Sequence, residues 1–159
     1  MSLSSGLEAV DRRITAWLGE HGVMLSRISL GIIFLWFGAL KFVPAWSPAA
    51  ELASRTIEAV TFGLVSPAAG LLVLATWESL IGLGLLTGKF LRITLLLLAV
   101  QMMGTLLPLV LFPLETWVLF PFAPSLEGQY IIKNLVLLSA ATVVGATVRG
   151  RGLAPEKAA

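Results

Sequence analysis

The sequence contains no cysteine and only one histidine, His21. The absence of cysteine excludes disulfides, thiolate metal sites and thiol nucleophiles. A single histidine cannot by itself build a metal centre or ligate a pair of haems. The sequence also lacks a glycine-rich phosphate loop and a nucleophile paired with a histidine base. We therefore expect no catalytic or metal site in this chain, and any redox chemistry would belong to a bound cofactor or a partner protein.

Charge is scarce as well. Only 13% of the residues are charged and 57% are apolar, with a mean hydropathy of +0.93, whereas an ordinary soluble domain has about 25% charged residues. This is too little polar surface to cover a globule in water, so we expect lipid to be the solvent. The basic residues stand at the ends of apolar segments and not on a face with exposed aromatics, which argues against a nucleic-acid partner.

Four apolar segments are each long enough to cross the hydrocarbon layer, which takes a helix of about 20 residues. They run over residues 22–43, 66–87, 90–112 and 129–148. The sequence therefore predicts an all-α fold, an integral membrane antiparallel four-helix bundle over residues 22–148. An N-terminal segment, residues 1–21, precedes this domain, and a C-terminal tail, residues 149–159, follows it.

The distribution of arginine and lysine predicts the orientation. With four spans, one side of the membrane receives both termini and the turn between the second and third spans. That side holds Arg12, Arg13, Lys89, Arg92, Arg149, Arg151 and Lys157. The other side has only Lys41, Arg55 and Lys133. The positive-inside rule then places both termini in the cytoplasm of a multi-pass protein.

The two outer connections have distinct patterns. In "WSPAAELASRTIEAV", Ser47 and Pro48 resemble a helix N-cap and first turn, and Glu51, Ser54, Arg55 and Glu58 form one polar stripe. This pattern predicts a short amphipathic outer helix between the first two spans, lying either on the membrane surface or as a cap on the bundle. The second connection, "PLETWVLFPFAPSLEGQY", has too many prolines for a long helix, and its aromatic residues suit a membrane interface.

The first span, "RISLGIIFLWFGALKF", carries a charge at each end. Arg27, Gly31, Phe34, Gly38 and Lys41 recur at steps of four and three residues, so they share one face of the helix. Glycine on such a face allows a neighbouring backbone to approach closely. Because the uncharged core of this span is short, both cations must snorkel or face protein. We expect this face to point into the bundle.

The other spans carry matching polar groups, and the predicted interior has two polar layers. The central layer contains Arg27, Glu78 and Gln101, and the outer layer contains Lys41, Lys133, Asn134 and Tyr130. An isolated charge at the centre of a membrane helix costs about 2.5–3.5 kcal/mol, so Glu78 must be paired, protonated or hydrated. It is either a ligand, quinone or proton site, or one half of a structural ion pair with Arg27.

The remaining candidates also keep two interpretations. Gln101 either joins two helices by a hydrogen bond or contacts a ligand. Lys41 and Lys133 either snorkel to the outer interface or join the polar layer. Trp36 is a packing residue unless a cofactor lies beside it.

Three stretches together resemble the DoxX family of small four-helix membrane proteins: "RISLGIIFLWFGALKF", "WESLIGLGLLTGKFLR" and "LEGQYIIKNLVLLSAA". The resemblance covers roughly residues 27–148. It implies a bacterial-type plasma membrane and an association with membrane redox complexes, such as a quinone-reducing thiosulfate oxidoreductase, beside a separate catalytic subunit. More distant relatives resemble assembly or trafficking factors.

Three functions are compatible with these observations. The first is a membrane subunit accessory to a redox system, which binds a quinone-like or lipidic molecule inside the bundle. The second is a non-enzymatic scaffold or assembly factor that holds partner membrane proteins or further copies of itself. The third, a small-solute or proton pathway through Glu78, is least favoured because four short helices leave little room for alternating access.

Overall fold

The structure is a computed structural model that describes residues 3–148, so the predicted tail, residues 149–159, lies outside the described residues. The fold is mostly helical. Its elements are α1 (Leu3–Leu40), a 3₁₀ turn (Pro44–Trp46), α2 (Ala50–Val60), α3 (Pro67–Thr87), α4 (Leu91–Leu106), α5 (Pro108–Leu111), α6 (Pro113–Thr116), β1 (Trp117–Leu119), β2 (Ala123–Pro124) and α7 (Leu126–Thr147).

Four helical segments within the described residues are long and apolar enough to cross a membrane, as the sequence predicts. They are Gly6–Leu40, Pro67–Thr87, Leu91–Leu111 and Leu126–Thr147. The first one begins well before the predicted boundary at residue 22. Residues 3–21 contain no proline and alternate apolar and polar groups at helical spacing, so α1 continues without a break.

Local sequence explains several helix ends. The hydroxyl of Ser66 accepts a hydrogen bond from the N–H of Ala69, and Pro67 occupies the first turn of α3. Gly88 ends α3 in the left-handed conformation, which glycine adopts without steric cost. Pro108 lacks an N–H group and interrupts the third apolar segment between α4 and α5.

The prediction for the start of α2 is wrong by two residues. The helix begins at Ala50, and its N-cap residue, Ala49, offers no side-chain hydrogen bond. Ser47 acts through its backbone carbonyl, which accepts from the N–H of Ala50 and closes a turn around Pro48. The second outer connection contains no long helix, but it holds the short antiparallel β1–β2 hairpin, a small addition to the all-α prediction.

Helix packing brings one face of each long helix into a common core. α1 packs against α3 and α7, α4 packs against α3 and α7, and α2 lies on α3. The core residues are Leu30, Phe34, Ile81, Leu85, Leu98, Met102, Ala141 and Val144. Gly31 lies opposite Leu86 and Gly38 lies opposite Ser79, so α1 and α3 run antiparallel in close contact.

Candidate functional site

A buried polar network joins α1, α3 and α4. Lys41 follows the last residue of α1, Glu78 lies in the middle of α3 and Gln101 lies in α4. The Lys41 Nζ donates to Glu78 Oε2 at 2.6 Å, and Gln101 Nε2 donates to Glu78 Oε1 at 2.9 Å. The three residues are only 7%, 7% and 9% exposed. The network therefore links three helices through a single carboxylate.

The network satisfies its own charges. Both oxygens of Glu78 accept a side-chain hydrogen bond, and Lys41 Nζ also reaches the carbonyl of Phe37 at 3.3 Å. A buried carboxylate is tolerated when a cation and further hydrogen bonds replace its lost water. This arrangement resembles a structural ion pair more closely than a ligand site, because the carboxylate already has protein partners on both oxygens.

Gly38 makes this network possible. A Cβ atom at position 38 would lie 2.8 Å from the backbone N of Ser79 and 2.9 Å from the Cβ of Glu78. Any side chain here would push α1 away from α3 and lengthen the contact between Lys41 and Glu78. The hydroxyl of Ser79 at this contact is buried without a hydrogen-bond partner among the described residues.

The predicted pairing of Arg27 with Glu78 is wrong. The Arg27 Nη1 donates to the carbonyl of Leu85 at 2.6 Å and to that of Leu86 at 3.3 Å, beside Gly88 at the C-terminal end of α3. A cation at this place satisfies free carbonyls and interacts favourably with the helix dipole. Arg27 therefore does not belong to the central polar layer, and Lys41 is the cation that pairs with Glu78 there.

Helix register explains the error. The prediction places the end of the first span and the start of the second span at the same depth. Glu78 would then lie about one helical turn from Arg27 along the helix axis. In the structure α3 is shifted along α1 by about two helical turns, toward the C-terminal end of α1. Gly38 therefore lies beside Glu78 and Ser79, where the predicted alignment would put Gly31. The displacement brings Lys41 within reach of Glu78.

The remaining residues of the predicted outer layer lie apart from this network. Lys133 is exposed, and its Nζ lies 5.0 Å from the ring centroid of Tyr130, which is 63% exposed. Asn134 is half-buried beside a small void between α4 and α7. Trp36 is 64% exposed and points away from the core. Of the predicted site residues, Lys41, Glu78 and Gln101 form the buried network, while Lys133 and Tyr130 form a separate, exposed contact.

An open cleft of about 490 Å³, which the sequence does not predict, lies near the C-terminal end of α1 and the N-terminal end of α3. Its walls are mostly small apolar residues, with three polar side chains among them. The lining residues are Pro44, Ala45, Ser47, Pro48, Ala50, Glu51, Ser54, Pro67, Ala68 and Leu71. Pro44 and Pro48, between α1 and α2, and Pro67, the first residue of α3, line this cleft, whose shape depends on how the chain between α1 and α2 folds over α3.

A second ion pair connects α2 to α6. Arg55 of α2 makes two hydrogen bonds with Glu115 of α6, at 2.7 and 3.0 Å, and its guanidinium lies 4.6 Å from the centroid of the Phe112 ring. The hydrogen bonds to Glu115 raise the pKa of Arg55, so this side chain keeps its charge. The bridge holds α2 against the second outer connection.

The described residues contain no group of three or more His, Asp or Glu side chains placed to hold a metal ion. No family model matches the chain, and neither a curated protein nor a solved structure matches it.

Proposed function

We propose that the chain is a multi-pass membrane protein whose four long helices form an antiparallel bundle with both termini in the cytoplasm. The exposed surface of these helices supports this proposal, because large apolar side chains cover it while the charged network lies inside. Exposed examples on the four helices are Ile32, Trp36, Leu72, Leu96, Val100 and Val136. Reporter fusions at each end, read separately for cytoplasmic and external location, test the orientation.

We further propose that the protein is a DoxX-type subunit, without catalytic activity of its own, that serves a membrane redox system and binds a quinone-like or lipidic molecule. The observation that carries this proposal is the outer cleft. The cleft is open toward its surroundings, and its volume of about 490 Å³ provides space for a ring or a short apolar chain. Its apolar walls suit a ring or acyl chain, and Ser47, Glu51 and Ser54 offer polar groups that fix orientation.

The buried network supports this site structurally. Leu71 lines the cleft and lies two turns of α3 from Glu78, on the same buried face. Lys41 lies three residues before Pro44, the first residue that lines the cleft, so the Lys41–Glu78 pair anchors the start of this connection to α3. We therefore assign Glu78 a positioning role and place the ligand in the cleft, not between the helices at Glu78.

Purification in native lipid followed by mass spectrometry tests for a bound isoprenoid or lipid. A thermal-stability measurement with added short-chain quinone gives a second test. Ala68→Phe, which places a ring in the cleft, should abolish the stabilisation, whereas Val73→Phe, on the exposed side of the same helix, should keep it. No bound apolar molecule together with no thermal shift would refute the ligand proposal.

A second candidate, a scaffold for partner membrane proteins, is favoured by an exposed aromatic group at the outer end of α1. Trp36, Phe37, Phe42 and Trp46 are all exposed, and tryptophan is enriched among residues that dominate protein interfaces. A photo-crosslinking residue at Trp36 in native membranes should capture a protein partner, while the same residue at Leu96 should not. Crosslinks to lipid alone at both positions would refute this candidate.

A further inference from the structure

The N-terminal part of α1 extends past the helices on which the rest of α1 packs. Arg27 of α1 lies at Gly88, next to the last residue of α3. Val23 still packs against the core cluster, whereas residues 10–20 are all exposed. Gly6, Gly19 and Gly22 show the same openness, because a Cβ atom at any of them would meet nothing within 4 Å. This extension, residues 6–21, is a helix without a packing partner among the described residues.

The extension has one apolar side and one charged side. Leu7, Val10, Ile14 and Trp17 follow one another at steps of three and four residues, and all four are exposed. They therefore lie along one side of the helix. Glu8 and Arg12 lie on the other side, where their side chains approach to 3.7 Å.

The apolar side of the extension continues into the exposed side of the membrane-length part of α1. Ile14, Leu18, Leu25 and Ile32 are spaced by four, seven and seven residues and are all exposed, so they share one side. The buried residues Leu30, Phe34 and Lys41 lie on the opposite side and face the core. The apolar side of the extension is therefore a continuation of the side of α1 that would contact acyl chains in a membrane.

From this continuity we infer that residues 6–21 form an amphipathic helix that lies on the cytoplasmic surface of the lipid bilayer. This inference rests on the proposed membrane insertion. α1 is continuous through Gly19 and Gly22 in the structure, so a surface position requires a bend there in the bilayer. A turn of about 90° toward the lipid-facing side of α1 directs that same side up into the headgroup region. Trp17 then lies at the interface, where tryptophan is enriched.

Length argues for lipid over a second copy of the chain. The described helix runs over 38 residues, about 57 Å, whereas crossing the hydrocarbon layer takes about 20 residues. The apolar stripe of the extension covers only about two heptads, and a coiled coil generally needs at least three to four. A bilayer surface requires only the single apolar side that this segment has.

Site-directed spin labelling of the full-length protein in liposomes tests the inference, and the lack of cysteine makes each label unique. Labels are placed through Leu7→Cys and Ile14→Cys on the apolar side and through Glu8→Cys and Arg12→Cys on the charged side. Accessibility to oxygen, which concentrates in lipid, is compared with accessibility to a water-soluble nickel complex. The ratio of oxygen to nickel accessibility should be several-fold higher at the apolar sites than at the charged sites.

Equal ratios at all four sites would overturn the inference, since equally low ratios would place the segment in water and equally high ratios would place it inside the bilayer. Low accessibility to both reagents at Leu7→Cys and Ile14→Cys would show coverage by protein and would overturn it as well. A label through Ile32→Cys separates this failure from failure of the membrane proposal. If Ile32→Cys is lipid-exposed while Ile14→Cys is in water, only the present inference fails; if both are in water, the proposed insertion fails too.

Discussion

Two of the ion pairs among the described residues match closely in distance and differ in surroundings. Lys41 and Glu78 approach to 2.6 Å with side chains that are 8% and 10% exposed, whereas Arg55 and Glu115 approach to 2.7 Å with side chains that are 41% and 44% exposed. Water stabilises the separated charges of the second pair and cannot reach those of the first. The contact distance therefore says little about the energetic consequence of breaking each pair.

Breaking the buried pair should have the largest effect. Lys41→Met removes the cation and leaves the Glu78 carboxylate without its charge partner, which should lower the free energy of unfolding by about 3–5 kcal/mol. Denaturant titration in detergent micelles measures this loss. The double variant Lys41→Met with Glu78→Gln should recover much of the stability, because it leaves no buried charge. A double variant as unstable as the sum of its single changes would contradict a buried ion pair.

The next effect concerns the close contact that makes the buried pair possible. Gly38→Ala inserts a methyl group 2.8 Å from the backbone of Ser79 and should cost about 1–3 kcal/mol through strain. Gly104→Ala is the matched control, because a Cβ there meets nothing within 4 Å and alanine favours a helix. The same unfolding titration measures both variants, and equal stability of the two would show that α1 and α3 are not tightly packed.

Arg27 sharpens the comparison, because its described partners are backbone carbonyls instead of a carboxylate. Arg27→Ala should cost about 1–2 kcal/mol through loss of these charge-assisted bonds at the end of α3. Since Arg27 and Glu78 share no partner, the effects of Arg27→Ala and Glu78→Gln should add within about 0.5 kcal/mol in a double-mutant cycle. A larger coupling energy would support the Arg27–Glu78 pair that the sequence alone predicts.

The exposed pair should give the smallest effect. Arg55→Ala should lower the free energy of unfolding by less than any of the changes above, and the loss should shrink as salt concentration rises because ions screen exposed charges. Glu58→Gln, on the same helix, leaves the bridge in place and serves as the control. Thermal unfolding at low and high salt measures the difference; a salt-independent loss would mean that Arg55 acts through its contact with Phe112 instead.

Part of the candidate site was accessible from sequence. The periodic spacing of Gly31, Gly38 and Lys41 correctly predicted an inward face of α1, and Glu78 and Gln101 were correctly expected to be buried. Choosing between Arg27 and Lys41 as the partner of Glu78 was not possible in this way. Both cations lie along one face of the first apolar segment. Which of them reaches Glu78 depends only on how far α3 is shifted along α1.

Composition and hydrophobic spacing by themselves determined that this chain forms four long apolar helices, since helix formation and apolar length depend on residues close together in sequence. Local sequence also determined several helix ends, through Ser66, Gly88 and Pro108. Tertiary structure alone decided which cation meets Glu78, how Arg55 reaches Glu115 and where the cleft opens. These features depend on how far one helix slides along another, a distance set by interlocking side chains that lie far apart in the sequence.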